Sequence, residues 1–188
     1  VNSSTYYNYS QTQQNNLLAT YHVNNVLNIY HFNTVTSSSG AGLCGYSDFP
    51  PGPDIVMMAG SCTVNGSTLS HEVGHYLSLL HTHSTVGGKE YVDGSNCSTA
   101  GDLLCDTPAD PVLGNSNVNS SCVYIGTTRD PQGDLYQPDP RNLMSYSRKS
   151  CRNLFSQQQY SMVLYSALNE RDYLVCSTIN VCNTPSNP

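Results

Sequence analysis

The stretch from His71 to His81, HEVGHYLSLLH, constrains this chain more than any other. His71 and His75 stand four residues apart, so on a helix of ~3.6 residues per turn their rings stack on one face and can share one cation. His81 comes six residues later, too far along to share that face, so the helix has to end near Ser78 and the chain has to bend back. Three neutral imidazoles on a tetrahedral Zn²⁺ leave one position for water, the arrangement of a catalytic zinc and not a structural one. Glu72, beside the first histidine, is then placed to take that water's proton as general base. A bare His-Glu-x-x-His also occurs on helices that bind nothing. The third histidine at its offset, with a methionine segment downstream, makes the pattern specific.

Three blocks, HEVGHYLSLLHTH, GDLLCDTPAD and NLMSYS, follow one another in the order seen in the pappalysin family of metzincin metallopeptidases. With weaker flanking segments, the chain resembles that family over about residues 17 to 165. The resemblance implies an α+β fold of metzincin type, in one catalytic domain over residues 1–188. Its upper lobe, to about residue 81, would carry a mixed sheet and the zinc helix. Its lower lobe, from about residue 82, would be rich in loops and end in a C-terminal helix.

The same resemblance gives roles to individual residues. Met144 in NLMSYS would lie beneath the zinc as an apolar base, and the Tyr146 hydroxyl would approach the metal or the substrate oxyanion. Cys122 and Cys151 would tie the segment before this turn to the segment after it. Lys149 stands where arginine-preferring pappalysins have an acidic residue, so a preference for basic residues after the scissile bond is not expected. The strand before the zinc helix, Asp54 to Ser61, would pair with extended substrate by main-chain hydrogen bonds. Asp93, Asp102 and Asp106, with Asp110, are spaced through an irregular stretch and read either as solvated loop carboxylates or as hard oxygen ligands for Ca²⁺, although the pattern is not that of an EF-hand loop.

One residue departs from the motif. The metzincin pattern HExxHxxGxxH has glycine where this chain has Ser78. A left-handed conformation costs an L-residue with a Cβ ~1–2 kcal/mol, a strain that zinc binding can offset. An altered turn with all three histidines still on the metal is therefore expected.

Composition narrows the class. A net charge of −6, from 7 basic against 13 acidic residues, argues against nucleic acid as a partner. No apolar run approaches the ~18 residues of a membrane span. Eight cysteines without a CxxC pair favour disulfides over a zinc ribbon and place the protein outside the cytosol. Eight cysteines allow about a hundred connectivities; short loops favour Cys44–Cys62, Cys97–Cys105, Cys122–Cys151 and Cys176–Cys182. Sequons at Asn2, Asn8, Asn65, Asn96 and Asn119 are compatible with a secretory route. The first nine residues are polar, so any export signal and inhibitory propeptide are expected to have been removed or to lie outside this sequence.

Along the chain, residues 1–9 read as a loose terminus and Ser10 to Tyr21 as a helix burying Leu17 and Leu18. Val26 to Asn33 and Asp54 to Ser61 read as strands, with a turn-rich loop from Ser37 to Pro53 between them. Met57 and Met58 read as core. The zinc helix should start near Thr68, with Leu69, Val73, Tyr76, Leu77 and Leu80 on its apolar faces. Ser156 and Gln159 form a capping box, and Phe155 can staple to Tyr160, so a last helix should run from Gln157 to Arg171 with Val163, Leu164, Ala167 and Leu168 inward. His22, His31 and His83 read as packed or surface residues, and RKSCR, Arg148 to Arg152, as a solvated basic loop.

The reading is a secreted, monomeric zinc endopeptidase acting on extended protein or peptide substrates. The nearest rival is a gluzincin, with Glu170 of NERD as third ligand. A zinc-stabilised binding module without catalysis is the rival from another class, and retained Glu72 and Tyr146 argue against it.

Overall fold

Five apolar residues in a row, Ile55 to Ala59, have no polar face to offer solvent, and they form a strand buried along its whole length. The computed structural model describes residues 3–64 and 66–175, so the expected Cys176–Cys182 pair lies outside the described residues. In chain order these form β1 (Asn8–Ser10), α1 (Gln14–Tyr21), β2 (Asn28–Phe32), β3 (Thr34–Thr36), β4 (Gly42–Leu43), β5 (Gly45–Ser47), β6 (Ile55–Ala59), α2 (Ser67–Tyr76) and α3 (Gln157–Asn169), joined by short 3₁₀ turns. One sheet has the order β2-β6-β5, with β6 parallel to β2 and antiparallel to β5. The other has the order β1-β3-β4. Mixed sheets beside separate helices make the α+β class that was expected.

The chain divides into two units: residues up to Ser78 together with those from Tyr165, and Leu79–Leu164. In the first, Tyr9, Leu17, Phe32, Val35, Ile55, Met57 and Ala59 make one core cluster, with Tyr9 stacked on Phe32 at 4.3 Å between centroids. Alternate residues of β6, Val56 and Met58, pack instead against Tyr76 of α2. The methionine pair is core, as its composition implied.

The second unit has little regular structure before α3. Four isolated bridges, such as Val118 with Tyr124, interrupt otherwise irregular chain. Disulfides Cys97–Cys105 and Cys122–Cys151 brace it, while Cys44–Cys62 braces the first unit. Side chains replace the missing backbone ladders: Asp130 alone accepts from the amides of Val92, Gln132 and Asp134. Two small clusters, Leu79 with Leu104 and Met144, and Leu113 with Val118 and Cys151, form its core.

Several expectations need correction. The end of the segment read as a loose terminus is held in place, because Tyr9 is buried and β1 pairs with β3. The stretch 37–53 holds two short strands, β4 and β5, that exist only through pairing with distant residues. Strand β6 is paired on both sides, so its backbone is not free for substrate; β5 ends that sheet instead. In α3 the capping box forms, with Ser156 N–H donating to Gln159 Oε1 at 2.8 Å and Gln159 N–H to Ser156 Oγ at 3.1 Å, and Phe155 meets Tyr160 edge-on. Its buried face is different from the one expected. Leu164 and Leu168 are exposed, whereas Gln159 and Ser166 are fully buried.

Candidate metal centre

Helix α2 opens at Gly66, whose φ of 72° is left-handed, and runs from Ser67 to Tyr76. Its apolar side meets β6: Val73, Tyr76 and Leu77 pack with Val56 and Met58, while Leu69 is partly exposed, contrary to expectation. Burial of this side fixes the opposite side, which carries His71 and His75, both buried. Their rings meet edge-on at 4.7 Å between centroids, and Phe49 lies 5.3 Å from His75.

The helix stops where the motif requires. Leu77 leaves helical geometry at φ −108°, ψ 39°, and Ser78 has φ 70°. The strain expected at Ser78 is therefore present. One ring nitrogen from each of His71, His75 and His81 lies within 4.8 Å of the others, and among the described residues no other trio of His, Cys, Asp or Glu side chains is so gathered. An all-imidazole donor set with two buried members suits a borderline ion such as Zn²⁺ and lacks the oxygens that Ca²⁺ or Mg²⁺ needs.

Glu72 is buried beside this trio in sequence and is held by β5. The Ser47 hydroxyl donates to the Glu72 carbonyl at 2.7 Å. A Cβ on Gly45 would stand 2.8 Å from the Met57 carbonyl oxygen and 3.0 Å from Glu72 Cγ, so only glycine lets β5 run so close to the helix. Neither residue was singled out from the sequence. The signal, a glycine between a cysteine and a tyrosine, is indistinguishable there from a loop glycine.

In the second unit, the His81 ring stacks on His83 at 4.7 Å, and Tyr146 approaches both, at 4.5 and 4.4 Å. Burial lowers the pKa of His83, with Asp110 opposing it. Tyr146 is half-exposed, while Met144 is fully buried against Leu79 and Leu104. The turn that carries them is tightly made. Asn142 Oδ1 accepts from the Met144 amide at 2.8 Å, and the buried amides of Asn142 and Gln159 exchange two hydrogen bonds. Asp110 accepts from both Thr82 and Ser145, and the Thr82 amide donates to the Met144 carbonyl.

The other singled-out residues are spread out. Lys149 is half-buried. Its neighbours are not a solvated loop, because Arg148 donates to the carbonyls of Val118 and Asn115, and Arg152 to that of Ser145. Asp93 is exposed and closes a turn through the Ser95 amide. Asp106 caps α3, accepting from Ser156 Oγ and the Gln158 amide. Asp102 is buried and accepts from Thr107 Oγ1 at 2.8 Å. Near it is Glu90, also buried, with Oε2 lacking a hydrogen-bond partner; no periodicity marked it out. Burial, then the charge of Asp102, pushes Glu90 up to about 8, and burial pushes Asp102 up to about 6 against the bonds from Thr107 and the Leu104 amide. Glu170, the rival third ligand, bonds Ser78 instead.

Among solved structures, mature mirolysin of Tannerella forsythia in complex with a cleaved peptide matches 89% of this chain and 65% of its own, with TM-score 0.59 and 23% identity. Mirolysin in complex with compound 9 matches over the same shares with TM-score 0.59 and 24% identity. This likeness shows that the chain has the fold of mirolysin. The sequence narrows it further, since residues 55–166 match the peptidase M43 profile, described as pregnancy-associated plasma protein-A. The chain belongs to that family, the pappalysins. An extracellular metalloprotease of Arthroderma benhamiae and another of Trichophyton verrucosum are each 33% identical over 135 residues, 63% of this chain and 40% of theirs. Extracellular metalloprotease 1 of Coccidioides posadasii is 37% identical over 95 residues, 50% of this chain and 28% of its own. The chain thus spans less than half the length of these relatives.

Proposed function

We propose that this domain is a zinc-dependent endopeptidase that is exported and hydrolyses peptide bonds in extended substrates. The observation that carries the reading is the gathering of His71, His75 and His81 beside a buried Glu72. His71, His75 and His81 would hold zinc, which when bound supplies Lewis acidity and activates water for attack. Glu72 accepts the proton of that water on its carboxylate and returns it to the nitrogen of the leaving amine. The Tyr146 phenol donates to the oxygen on which negative charge develops, and its half-exposed ring against His81 suits that task. Met144, in its apolar cluster, gives the centre a floor that does not compete as a ligand.

Substrate pairs with the outer edge of β5, which ends its sheet and holds Glu72 through Ser47 and Gly45. Mirolysin was solved with a cleaved peptide, which supports a peptide in the corresponding place here. Lys149 disfavours basic residues after the scissile bond. Of the four aspartates considered for calcium, Asp102 is retained, with Glu90 as its companion, because both are buried carboxyls, whereas Asp93 and Asp106 are exposed and Asp110 is taken up by Thr82 and Ser145. Three disulfides and the extracellular naming of the relatives support export. Among the described residues no helix is long and apolar enough to cross a membrane. Casein digestion tests the reading: wild type should cleave it, and Glu72→Ala should retain zinc and lose cleavage. A Glu72→Ala protein that cleaves at the wild-type rate would remove the mechanism.

A further inference from the structure

Ser78 stands three residues after His75 and three before His81, at the one place where the motif asks for a residue without a Cβ. Its hydroxyl donates to Glu170 Oε2 at 2.5 Å and meets the buried Ser166 Oγ at 3.1 Å. Glu170 is itself fixed, because its amide and that of Arg171 both donate to the Ser166 carbonyl, at 2.9 and 3.0 Å.

Arg171 works on the same helix end. Its Nε donates to the Tyr76 carbonyl at 3.0 Å, one of the acceptors that a helix C-terminus leaves without an internal partner. A cation there also complements the helix dipole. The guanidinium is fully buried, lies 3.7 Å over the Tyr76 ring and pairs with Asp54 at 2.6 Å. Asp54 in turn accepts from the Tyr76 hydroxyl at 2.7 Å. Adjacent residues after α3 thus grip residues 76 and 78, the last residue of the zinc helix and the turn beyond it.

We propose that Glu170 and Arg171 form a clamp on the exit of α2, with Glu170 as the positioning residue that fixes Ser78 in its left-handed turn between His75 and His81. The inference rests on the reading that these histidines hold zinc. It also explains why serine is accepted: the hydroxyl gains two partners that glycine would lack. Bonds from Ser166 and Ser78 hold the Glu170 carboxyl below its ordinary range, so the charged acceptor persists at neutral pH.

The test is a double-mutant cycle on Ser78 and Glu170, read in two ways: zinc affinity by competition with a chromogenic chelator, and the melting midpoint of the chelated, metal-free protein. Glu170→Ala should weaken zinc binding about 10-fold, as loss of a group that orients metal ligands does, and should lower the metal-free midpoint. In the Ser78→Gly background the same change should alter zinc affinity less than about 2-fold, because the coupled partner is gone, and should leave the midpoint nearly unmoved. Equal effects of Glu170→Ala in both backgrounds overturn the clamp. Should Glu170→Ala fail to fold, Glu170→Gln is read in the same two backgrounds with the same criterion. A wild-type chain that holds no zinc overturns the metal reading, and the metal-free melting cycle then decides the clamp alone.

Discussion

Gly45 and Glu72 are in such close approach that a single methyl group on the glycine would reach to 3.0 Å of the glutamate's Cγ. The backbone carbonyl of Met57, 2.8 Å from the same point, leaves that methyl no other way to turn. Gly45→Ala should therefore shift β5 or Glu72. Misplacing a catalytic group by about 1 Å can cost ~10²-fold in rate, and a loss of that order in kcat is expected. Zinc content should be unchanged, since no histidine is touched. Steady-state kinetics on a fluorogenic peptide, with elemental analysis of the same sample, checks both; wild-type kcat would detach Gly45 from the mechanism.

Tyr146 is the second residue whose role is open to a clean substitution. Tyr146→Phe keeps the ring that lies against His81 and His83 and removes only the hydroxyl. Loss of one oxyanion donor typically lowers kcat by on the order of 10²-fold. KM should hardly move, because the bond forms with charge that exists only in the transition state. A rise in KM at constant kcat would make Tyr146 a substrate-binding residue instead.

Glu90 and Asp102 set the pH dependence of stability in the metal-free protein. Their carboxyls are raised to about 8 and about 6 in the folded chain, against ~4 when unfolded. The folded state thus holds protons that the unfolded state has already released. Stability from this source is fully present below ~4 and is lost as pH rises through about 6 and then about 8. In chelator, the melting midpoint should fall across that window. Glu90→Gln should flatten its upper half, and calcium added at the alkaline end should raise the wild-type midpoint. A midpoint that climbs with pH would contradict the burial argument.

What the sequence made legible was local. Helix α2 with its two histidines, the capping box of α3, strands β2 and β6 and the three described disulfides follow from spacing, composition and short loops. Strands of two or three residues such as β1, β4 and β5 carry no periodicity and exist only through partners far along the chain. The buried face of α3 was misread for a related reason. Gln159 and Ser166 are inside because Asn142 and Ser78 satisfy their polar groups, and hydropathy does not register a partner. Arg171 was hidden likewise, as a fully buried cation whose acceptors are Asp54 and the carbonyls of Tyr76, Gly52 and Asp48. At the candidate centre, the three histidines were legible from their offsets, whereas Gly45 and Ser47 depend on a strand pairing that no local pattern announces.

Zinc stoichiometry after equilibrium dialysis, measured by elemental analysis on wild type beside His81→Ala, bears most directly on the proposal that three imidazoles hold one ion. Wild type should retain about one zinc per chain and His81→Ala far less, since neutral ligands bind a divalent ion tightly only in full number. A wild-type chain that keeps only a small fraction of one zinc, or a His81→Ala chain that keeps as much as wild type, would contradict it.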